Sequence, residues 1–325
     1  MSKASIWPTL VMLGICCALL AASYWFGSNR VGLPPAVIRP LQQPAPEETD
    51  ANAPPGMAYV AAGRYLQGSD LSPSRDTRPA RIVQLDSFWI DAHEVTNEQF
   101  ATFVDATGYK TTAEELGYSY VFDPASTAWN KVTGADWRHP AGPDDSLSTK
   151  QHFPVVHVSW FDATAYARWS GKELPTEAQW ERAARGSLHD MPYPWGNHEL
   201  DGGRRLANYW RSGVAPNDVV GSPRAVPVAQ FAPNGLGLYD VAGNVWEWCG
   251  DWYAADTYQR GDARNPTGPD SGAKRVARGG SWVGSDHGPT EIMVHHRGHF
   301  PPDFSANHLG FRCVRPKRDQ SPGGS

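Results

Sequence analysis

The first apolar segment of the chain differs from everything that follows it. Residues 6–26 read IWPTLVMLGICCALLAASYWF, and no charge occurs between Lys3 and Arg30. This length meets the roughly 20 residues that a helix needs to cross a bilayer, whereas the apolar core of a cleaved signal peptide is about 7–15 residues. We therefore expect residues 1–30 to form an uncleaved, single-pass anchor in the inner membrane; the alternative is cleavage after Ala22. The rest of the chain would then face the periplasm or exterior.

Three further regions follow the anchor. Residues 31–56 contain seven prolines, which predicts an extended, semi-rigid linker. Residues 57–316 show no second linker and no internal repeat, so we expect one domain there. Residues 317–325 are polar and predict a disordered tail.

Within the domain, polar residues placed just before apolar repeats predict three helices. A serine or threonine is followed three residues later by a side chain that completes a capping box, and a glycine stands where each helix would end. The starts are Thr96, Ser159 and Thr176, and the stops are Gly108, Gly171 and Gly186. Alternating segments predict strands at 81–91, 276–283 and Thr290–Arg297. The pattern favours an α+β fold with few helices and much irregular chain.

Composition supports this loop-rich reading. The chain has 32 glycines, 28 prolines and 14 tryptophans, and large rings can build a core where regular secondary structure is scarce. The formal net charge is −5, which excludes the strongly basic balance of a nucleic-acid-binding protein.

Seven sequence blocks occur in an order that resembles one known family. They are FWIDAHEVTNEQFATFVDATGY (88–109), ADWRHPAGPDDS (135–146), FPVVHVSWFDATAYARWSGKELPTEAQWERAARG (153–186), YPWGN (193–197), NGLGLYDVAGNVWEW (234–248), RGGSW (278–282) and HLGFRC (308–313). The chain resembles the sulfatase-modifying-factor family, typified by the formylglycine-generating enzyme. The resemblance implies a single α+β domain that is related to C-type lectins and has little regular secondary structure. Members include copper-dependent oxidases of sulfatase cysteines and maturation factors of other pathways, so the fold does not settle the chemistry.

The resemblance also implies two calcium sites. One would use the side chains of Asp240 and Glu247 with the carbonyls of Gly243 and Val245, since calcium takes about six to eight oxygens, some of them from the backbone. The alternative is a turn held by Asp240, with Glu247 paired to an arginine. The other site would use four residues, the last two placed by an alignment gap: Asn208, Tyr209, Asp218 and Val220.

The family's redox cysteines are absent. In formylglycine-generating enzymes they follow the GGS-aromatic motif, and the matching positions here are Gly284 and Pro289. A thiolate pair is what selects Cu(I), so that copper site cannot form. Of the remaining cysteines, Cys249 and Cys313 lie outside the apolar N-terminal segment. They form either a disulfide, as an oxidising compartment allows, or two buried free thiols.

Other positions of the family's substrate groove are kept. Trp246, Ser281 and Arg297 match the family, whereas His308 stands where the family has asparagine. Because a histidine replaces the family's asparagine in the groove at His308, we do not expect peptide recognition here to follow the family's pattern.

Histidines are concentrated where the cysteine chemistry is missing. Imidazole and carboxylate ligands suit copper, iron or zinc. We hypothesise a transition-metal site, such as copper or iron, held by His287, His295 and His308, with Glu291 as ligand or general base. The alternative is that these are surface or hydrogen-bonded residues without a metal.

Two main functions follow from these observations. The first is an exported, membrane-anchored, oxidoreductase-type maturation factor that acts on a periplasmic protein or small molecule, similar to the denitrification accessory protein of this family. The second is a non-catalytic, lectin-like binding or scaffold module in an envelope complex. A third, a formylglycine generator with a different mechanism, requires chemistry without the two cysteines.

Overall fold

A computed structural model describes residues 52–188, 190–201, 204–209, 224–284 and 289–317. These residues fall within one unit, Pro44–Ser325. No helix among them is long and apolar enough to span a bilayer. The anchor predicted at 6–26, most of the linker, the tail from 318 onward, and the site candidates Asp218, Val220 and His287 lie outside the described residues.

The described helices are short and most begin with a capping box. They are α1 (Asn97–Thr107), α2 (Thr112–Leu116), α3 (Trp160–Trp169), α4 (Glu177–Arg185) and α5 (Thr257–Arg260). The three predicted starts are confirmed, because the N-caps of α1, α3 and α4 each make the reciprocal hydrogen bonds of the box. Helix α2 was not predicted, although its cap Thr111 and Glu114 form the same box.

Short strands form small sheets. The strands are β1 (Met57–Val60), β2 (Gly63–Gln67), β3 (Arg81–Leu85), β4 (Phe88–Asp91), β5 (Tyr118–Asp123), β6 (Ala128–Thr133), β7 (Leu200–Asp201), β8 (Arg204–Arg205), β9 (Trp246–Trp252), β10 (Arg275–Arg278), β11 (Gly298–Phe300), β12 (Leu309–Gly310) and β13 (Val314–Pro316). One sheet has the order β1-β4-β13 and another β11-β10-β9-β12, while β2-β3, β5-β6 and β7-β8 are two-stranded.

Three strand predictions require correction. Segment 81–91 is two strands in different sheets, β3 and β4. The strand predicted at 276–283 ends at Arg278 because Gly279 and Gly280 both have positive φ, a conformation that does not continue a strand. The strand predicted over Thr290–Arg297 is wrong: the chain forms a 3₁₀ helix over Pro289–Ile292 and then turns.

Strand β9 divides the hydrophobic core. Successive side chains of a strand point to opposite faces of the sheet. Trp248 therefore joins a cluster that contains Phe100, Tyr166 and Phe311, while Cys249 joins one that contains Trp180. Both sides of β9 are buried, so the strand is a rigid support for the residues at its two ends.

Candidate functional site

The GGSW turn follows β10 and is fixed by close backbone contacts. Gly280 has φ +73°, and a Cβ built there would lie 2.7 Å from the carbonyl oxygen of Glu291, so only glycine fits. Ser281 is buried, and its Oγ accepts a hydrogen bond from the Val283 amide at 3.3 Å. This turn holds Gly284, the first position that matches a redox cysteine, beside the 3₁₀ helix that begins at Pro289, the second.

An aromatic cluster adjoins this turn, because the Trp282 indole donates at 3.1 Å to the carbonyl of the residue before His308. We define the cluster as Trp129, Trp246, His296, Phe300 and His308. The ring centroid of Trp246 is 5.8 Å from that of His296 and 6.1 Å from that of Phe300. The His308 ring lies 4.5 Å from Trp129 and 5.8 Å from Phe300. Trp246 is buried while Trp129 is 43% exposed, so the cluster reaches from the core to the surface.

His308 is the enclosed polar member of the aromatic cluster. Its carbonyl accepts a hydrogen bond from the Trp246 amide at 2.8 Å, which ties β12 to β9. Its ring nitrogen Nδ1 is buried without a hydrogen-bond partner among the described residues. Burial, and to a smaller extent His157, lowers the pKa of His308 to about 3. The imidazole is therefore neutral at physiological pH and offers an unused nitrogen.

The matched groove residue Arg297 lies in a buried ion network. Its Nε donates to Glu177 Oε1 at 2.7 Å, and its Nη2 donates to Glu177 Oε2 at 2.9 Å. Its side chain has no solvent exposure. Arg278 extends the network with a 2.6 Å bond to Glu181. Arg297 thus holds β11 against α4 and presents no free guanidinium.

The histidines of the metal hypothesis lie in different surroundings. His295 is buried, and its carbonyl accepts a hydrogen bond from Arg278 at 3.2 Å; burial lowers its pKa to about 4, against the opposing effect of Glu181. His308 instead faces Trp129 and Phe300. Among the described residues, no three His, Cys, Asp or Glu side chains form a group that could hold a metal ion. A site that includes His287 stays a hypothesis.

Both cysteines of the domain are buried free thiols. Cys249 and Cys313 belong to different hydrophobic clusters, so the structure has the second of the two predicted alternatives. Burial, and then neighbouring carboxylates, raises the pKa of each thiol well above its usual range. A thiol in this environment is a poor nucleophile and a poor metal ligand.

The loop predicted to bind calcium contains a buried ion pair. Arg312 donates from Nε to Glu247 Oε2 at 2.6 Å and from Nη2 to Oε1 at 2.7 Å, and Trp180 adds a third bond at 2.7 Å. Glu247 is thus paired to an arginine, as in the alternative stated from the sequence. Asp240 has φ +56°, and its Oδ2 accepts a hydrogen bond from the Ala229 amide at 2.6 Å.

Beside this pair lie three buried oxygens without donors, which we call the acceptor cluster: Glu94 Oε2, Asp240 Oδ1 and Asn208 Oδ1. None has a hydrogen-bond partner in the described part of the chain. The Asn244 side chain links two of the residues, because it donates to Glu94 Oε1 at 3.0 Å and accepts from Asn208 at 3.2 Å. Burial, and then mutual repulsion, raises the pKa of Glu94; burial raises that of Asp240. Unpaired buried acceptors are costly, and a cation would satisfy them.

The two predicted calcium segments meet at this cluster. The Asn244 amide donates to the Asn208 carbonyl at 2.7 Å. A Cβ on Gly243 would lie 2.3 Å from that same oxygen, so the close approach requires glycine. Val245 is fully buried next to it, and Tyr209 is buried too; the Tyr209 hydroxyl donates to Glu199 at 2.6 Å.

Sequence reasoning missed Glu94, Arg312 and Trp129. Arg312 lies in the apolar stretch LGFRC, whereas Glu94 follows His93 in AHEVT. A charge within a short apolar run indicates a buried and paired side chain, and that signal could have found Arg312. Trp129 had no such signal, since its role depends on contact with His308, far along the chain.

Comparison with known proteins gives the family directly. The model of the sulfatase-modifying factor enzyme 1-like domain matches residues 42–317. The formylglycine-generating enzyme of Thermomonospora curvata is 44% identical over 80% of this chain and 93% of its own. The inactive C-alpha-formylglycine-generating enzyme 2 of Mus musculus is 39% identical over 92% of this chain and 100% of its own. The chain belongs to the sulfatase-modifying-factor family.

Solved structures agree with this fold. PvdO from Pseudomonas aeruginosa superposes with a TM-score of 0.60 at 23% identity and covers 80% of this chain and 94% of its own. Treponema denticola variable protein 1 gives a TM-score of 0.59 at 24% identity, with the same coverage of both chains. At these identities the likeness concerns the fold alone.

Proposed function

We propose that this protein is an exported, membrane-anchored member of the family that binds a periplasmic protein or small molecule at the aromatic cluster and performs no copper–thiolate oxidation. The observation that carries this proposal is the position and burial of the cysteines. The two redox positions carry Gly284 and Pro289, and the two cysteines of the domain are buried with raised pKa values. A Cu(I) site needs accessible thiolates.

The aromatic cluster supports binding in place of that chemistry. It lies at the GGSW turn, combines a buried tryptophan with a half-exposed one, and contains the neutral imidazole of His308. Aromatic rings supply much contact area at small entropic cost and often anchor interfaces. The match to both catalysing and inactive relatives is compatible with a binding role on this scaffold.

Calcium is proposed as a structural ion of the acceptor cluster. The fit to the residues present is partial: Asp240 Oδ1 and Asn208 Oδ1 are unpaired, whereas Glu247 is engaged by Arg312. Glu94, with its own unpaired Oε2, would supply the second carboxylate, and the Gly243 and Val245 carbonyls are in the same loop. A bound Ca²⁺ would supply positive charge to this loop-rich region. It would stabilise the fold because it would bind the native state and not the unfolded chain.

A metal-dependent maturation factor is the second candidate, and His308 favours it. Its Nδ1 is unpaired within the described residues, and a neutral imidazole nitrogen is a ligand for copper, iron or zinc. Metal analysis of the full chain, of His295→Ala and of His308→Ala after reconstitution distinguishes the candidates. Stoichiometric copper or iron that is lost in both variants would replace the binding proposal with this one.

An oxidation assay tests the first proposal. The full chain in detergent is incubated with copper, reductant, oxygen and a cysteine-bearing sulfatase-type peptide, and the peptide mass is followed. We expect no formylglycine; measurable product would contradict the proposal. The variant with both Gly284→Cys and Pro289→Cys is the matched test of the groove, and we expect it to bind Cu(I) where the parent does not.

Export and anchoring are tested separately. The full chain should fractionate with membranes and resist carbonate extraction, and protease added to spheroplasts should degrade the domain. A chain that begins after Ala22 in the mature protein would instead establish cleavage.

A further inference from the structure

A concave region lies next to Trp282, and the residues of the aromatic cluster do not line it. It is a cleft of about 600 Å³, within the roughly 300–1,000 Å³ range of small-molecule sites. We call it the Trp282 cleft. Its buried wall includes Phe122, Val156 and Trp282, and its exposed rim includes Asp144 and Arg224.

Asn97 places an unused acceptor in the wall of the Trp282 cleft. Asn97 is the first residue of α1 and is 3% exposed. Its Nδ2 donates to the Lys150 carbonyl at 2.9 Å, which fixes the orientation of the amide. The other end, Oδ1, has no hydrogen-bond partner among the residues described. A buried acceptor of this kind is normally satisfied, so the cleft lacks a donor.

The rim of the cleft carries unpaired charges of both signs. Lys150 is neutralised by Asp145, with bonds of 2.5 and 2.6 Å. Asp144 and Arg224, by contrast, form no ion pair with each other or with any other described side chain. Asp123 is held by the Ser126 hydroxyl at 2.6 Å, and that bond helps to lower its pKa, so it stays ionised.

We propose that the Trp282 cleft binds a zwitterion of amino-acid or dipeptide size that carries an apolar side chain. The ammonium group would face Asp144, the carboxylate would face Arg224, and the side chain would lie against Phe122 and Trp282. A further N–H would meet the Asn97 acceptor. A simple cation would leave Arg224 unpaired, a simple anion would leave Asp144 unpaired, and a purely apolar ligand would leave both of these residues unpaired.

Isothermal titration of the full chain in detergent tests this with four probes. They are L-phenylalanine, phenethylamine, 3-phenylpropionate and glycine, which keep or remove one charge or the side chain in turn. We expect L-phenylalanine to bind and each of the others to bind about tenfold more weakly or worse. Equal binding of phenethylamine or of 3-phenylpropionate, or no binding of L-phenylalanine, would overturn the proposal.

Rim variants locate the site. Asp144→Asn and Arg224→Gln should each weaken L-phenylalanine binding about tenfold, and we expect both variants to fold because both residues are exposed. Asp270→Asn and Arg64→Gln remove the same charges from exposed positions away from the cleft and should bind like the parent. Parental affinity in both rim variants would overturn the assignment. Because the cleft excludes Trp246 and His308, this result is independent of the binding function proposed for the aromatic cluster.

Discussion

Replacing Glu94 with glutamine tests whether the acceptor cluster binds a proton or a cation. Glu94 is fully buried, and burial together with Asp240 raises its pKa. A carboxyl whose pKa is higher in the folded state than in the unfolded chain stabilises the protein fully at pH values below its unfolded-state pKa, which is about 4.3 for glutamate. That stability is lost as the pH rises toward the folded-state pKa. Glu94→Gln has the same shape but cannot ionise.

The magnitude follows from one retained proton. Between the two pKa values the folded parent holds one proton more than the unfolded chain, so its free energy of unfolding should fall by about 1.4 kcal/mol per pH unit relative to the variant. Calcium should instead make the parent more stable than Glu94→Gln at neutral pH, because calcium binds the ionised carboxylate that the variant lacks. At one hundred times its Kd it would stabilise the parent by about 2.7 kcal/mol, or roughly 5–11 °C in Tm for a domain of this size.

The measurement is the free energy of unfolding in denaturant for the parent and for Glu94→Gln. It is made between pH 5 and 8 (a range of about three units), once with calcium and once with chelator. The parent in chelator should lose stability relative to Glu94→Gln as pH rises, and calcium should stabilise the parent more than the variant. Glu115→Gln removes an exposed glutamate and should change neither slope nor calcium response. Parallel pH curves together with equal calcium shifts in parent and Glu94→Gln would refute the reasoning.

Three further predictions concern packing and charge. Arg312→Met leaves a fully buried carboxylate unpaired and should destabilise the fold by about 3–5 kcal/mol in urea unfolding; a loss below about 1 kcal/mol would contradict the buried pair. Gly298→Ala places a Cβ 2.6 Å from the Trp246 ring and should cost about 1–3 kcal/mol, while Gly63→Ala, with open space around it, should not share this steric loss. The pKa of His308 is lowered to about 3 from an ordinary value of about 6.5, so the parent should lose about 1.4 kcal/mol per pH unit below about 6.5 relative to His308→Asn. Identical acid unfolding curves would show that the ring is not enclosed.

Local patterns predicted three of the five described helices because capping is a local event. The boxes at Thr96, Ser159 and Thr176 need only residues three positions apart, and all three are formed. The strand over Thr290–Arg297 was wrong since alternation is also compatible with a 3₁₀ turn. There the deciding contact is the approach of the Glu291 carbonyl to Gly280. Gly280 lies outside the predicted strand, so the alternation within the strand could not reveal this contact.

The residues of the candidate site that the sequence singled out are mostly those that match motifs of the family. The sequence places Asp240 and Glu247 in one loop and offers an arginine as a partner of Glu247, but it does not say which arginine, nor what lies beside Asp240. Glu247 is paired with Arg312, 65 residues later, and Asp240 lies close enough to Glu94, 146 residues earlier in the numbering, to raise the pKa of that carboxyl. Contacts at such separation depend on the completed fold, so a motif can place a carboxylate without revealing what neutralises it.

The motifs that identify this family are held in place by packing, independently of catalysis. A Cβ on Gly243 would lie 2.3 Å from the Asn208 carbonyl oxygen, and a Cβ on Gly280 would lie 2.7 Å from the Glu291 carbonyl oxygen, so neither position can carry a side chain. Glu247 is the buried partner of Arg312. Losing any of these would disrupt the fold, whereas the positions of Gly284 and Pro289 are a turn and a helix start that need no sulfur to form. The packing of these blocks therefore places no demand on the residue types at 284 and 289, so the blocks define the fold without defining the chemistry at those two positions.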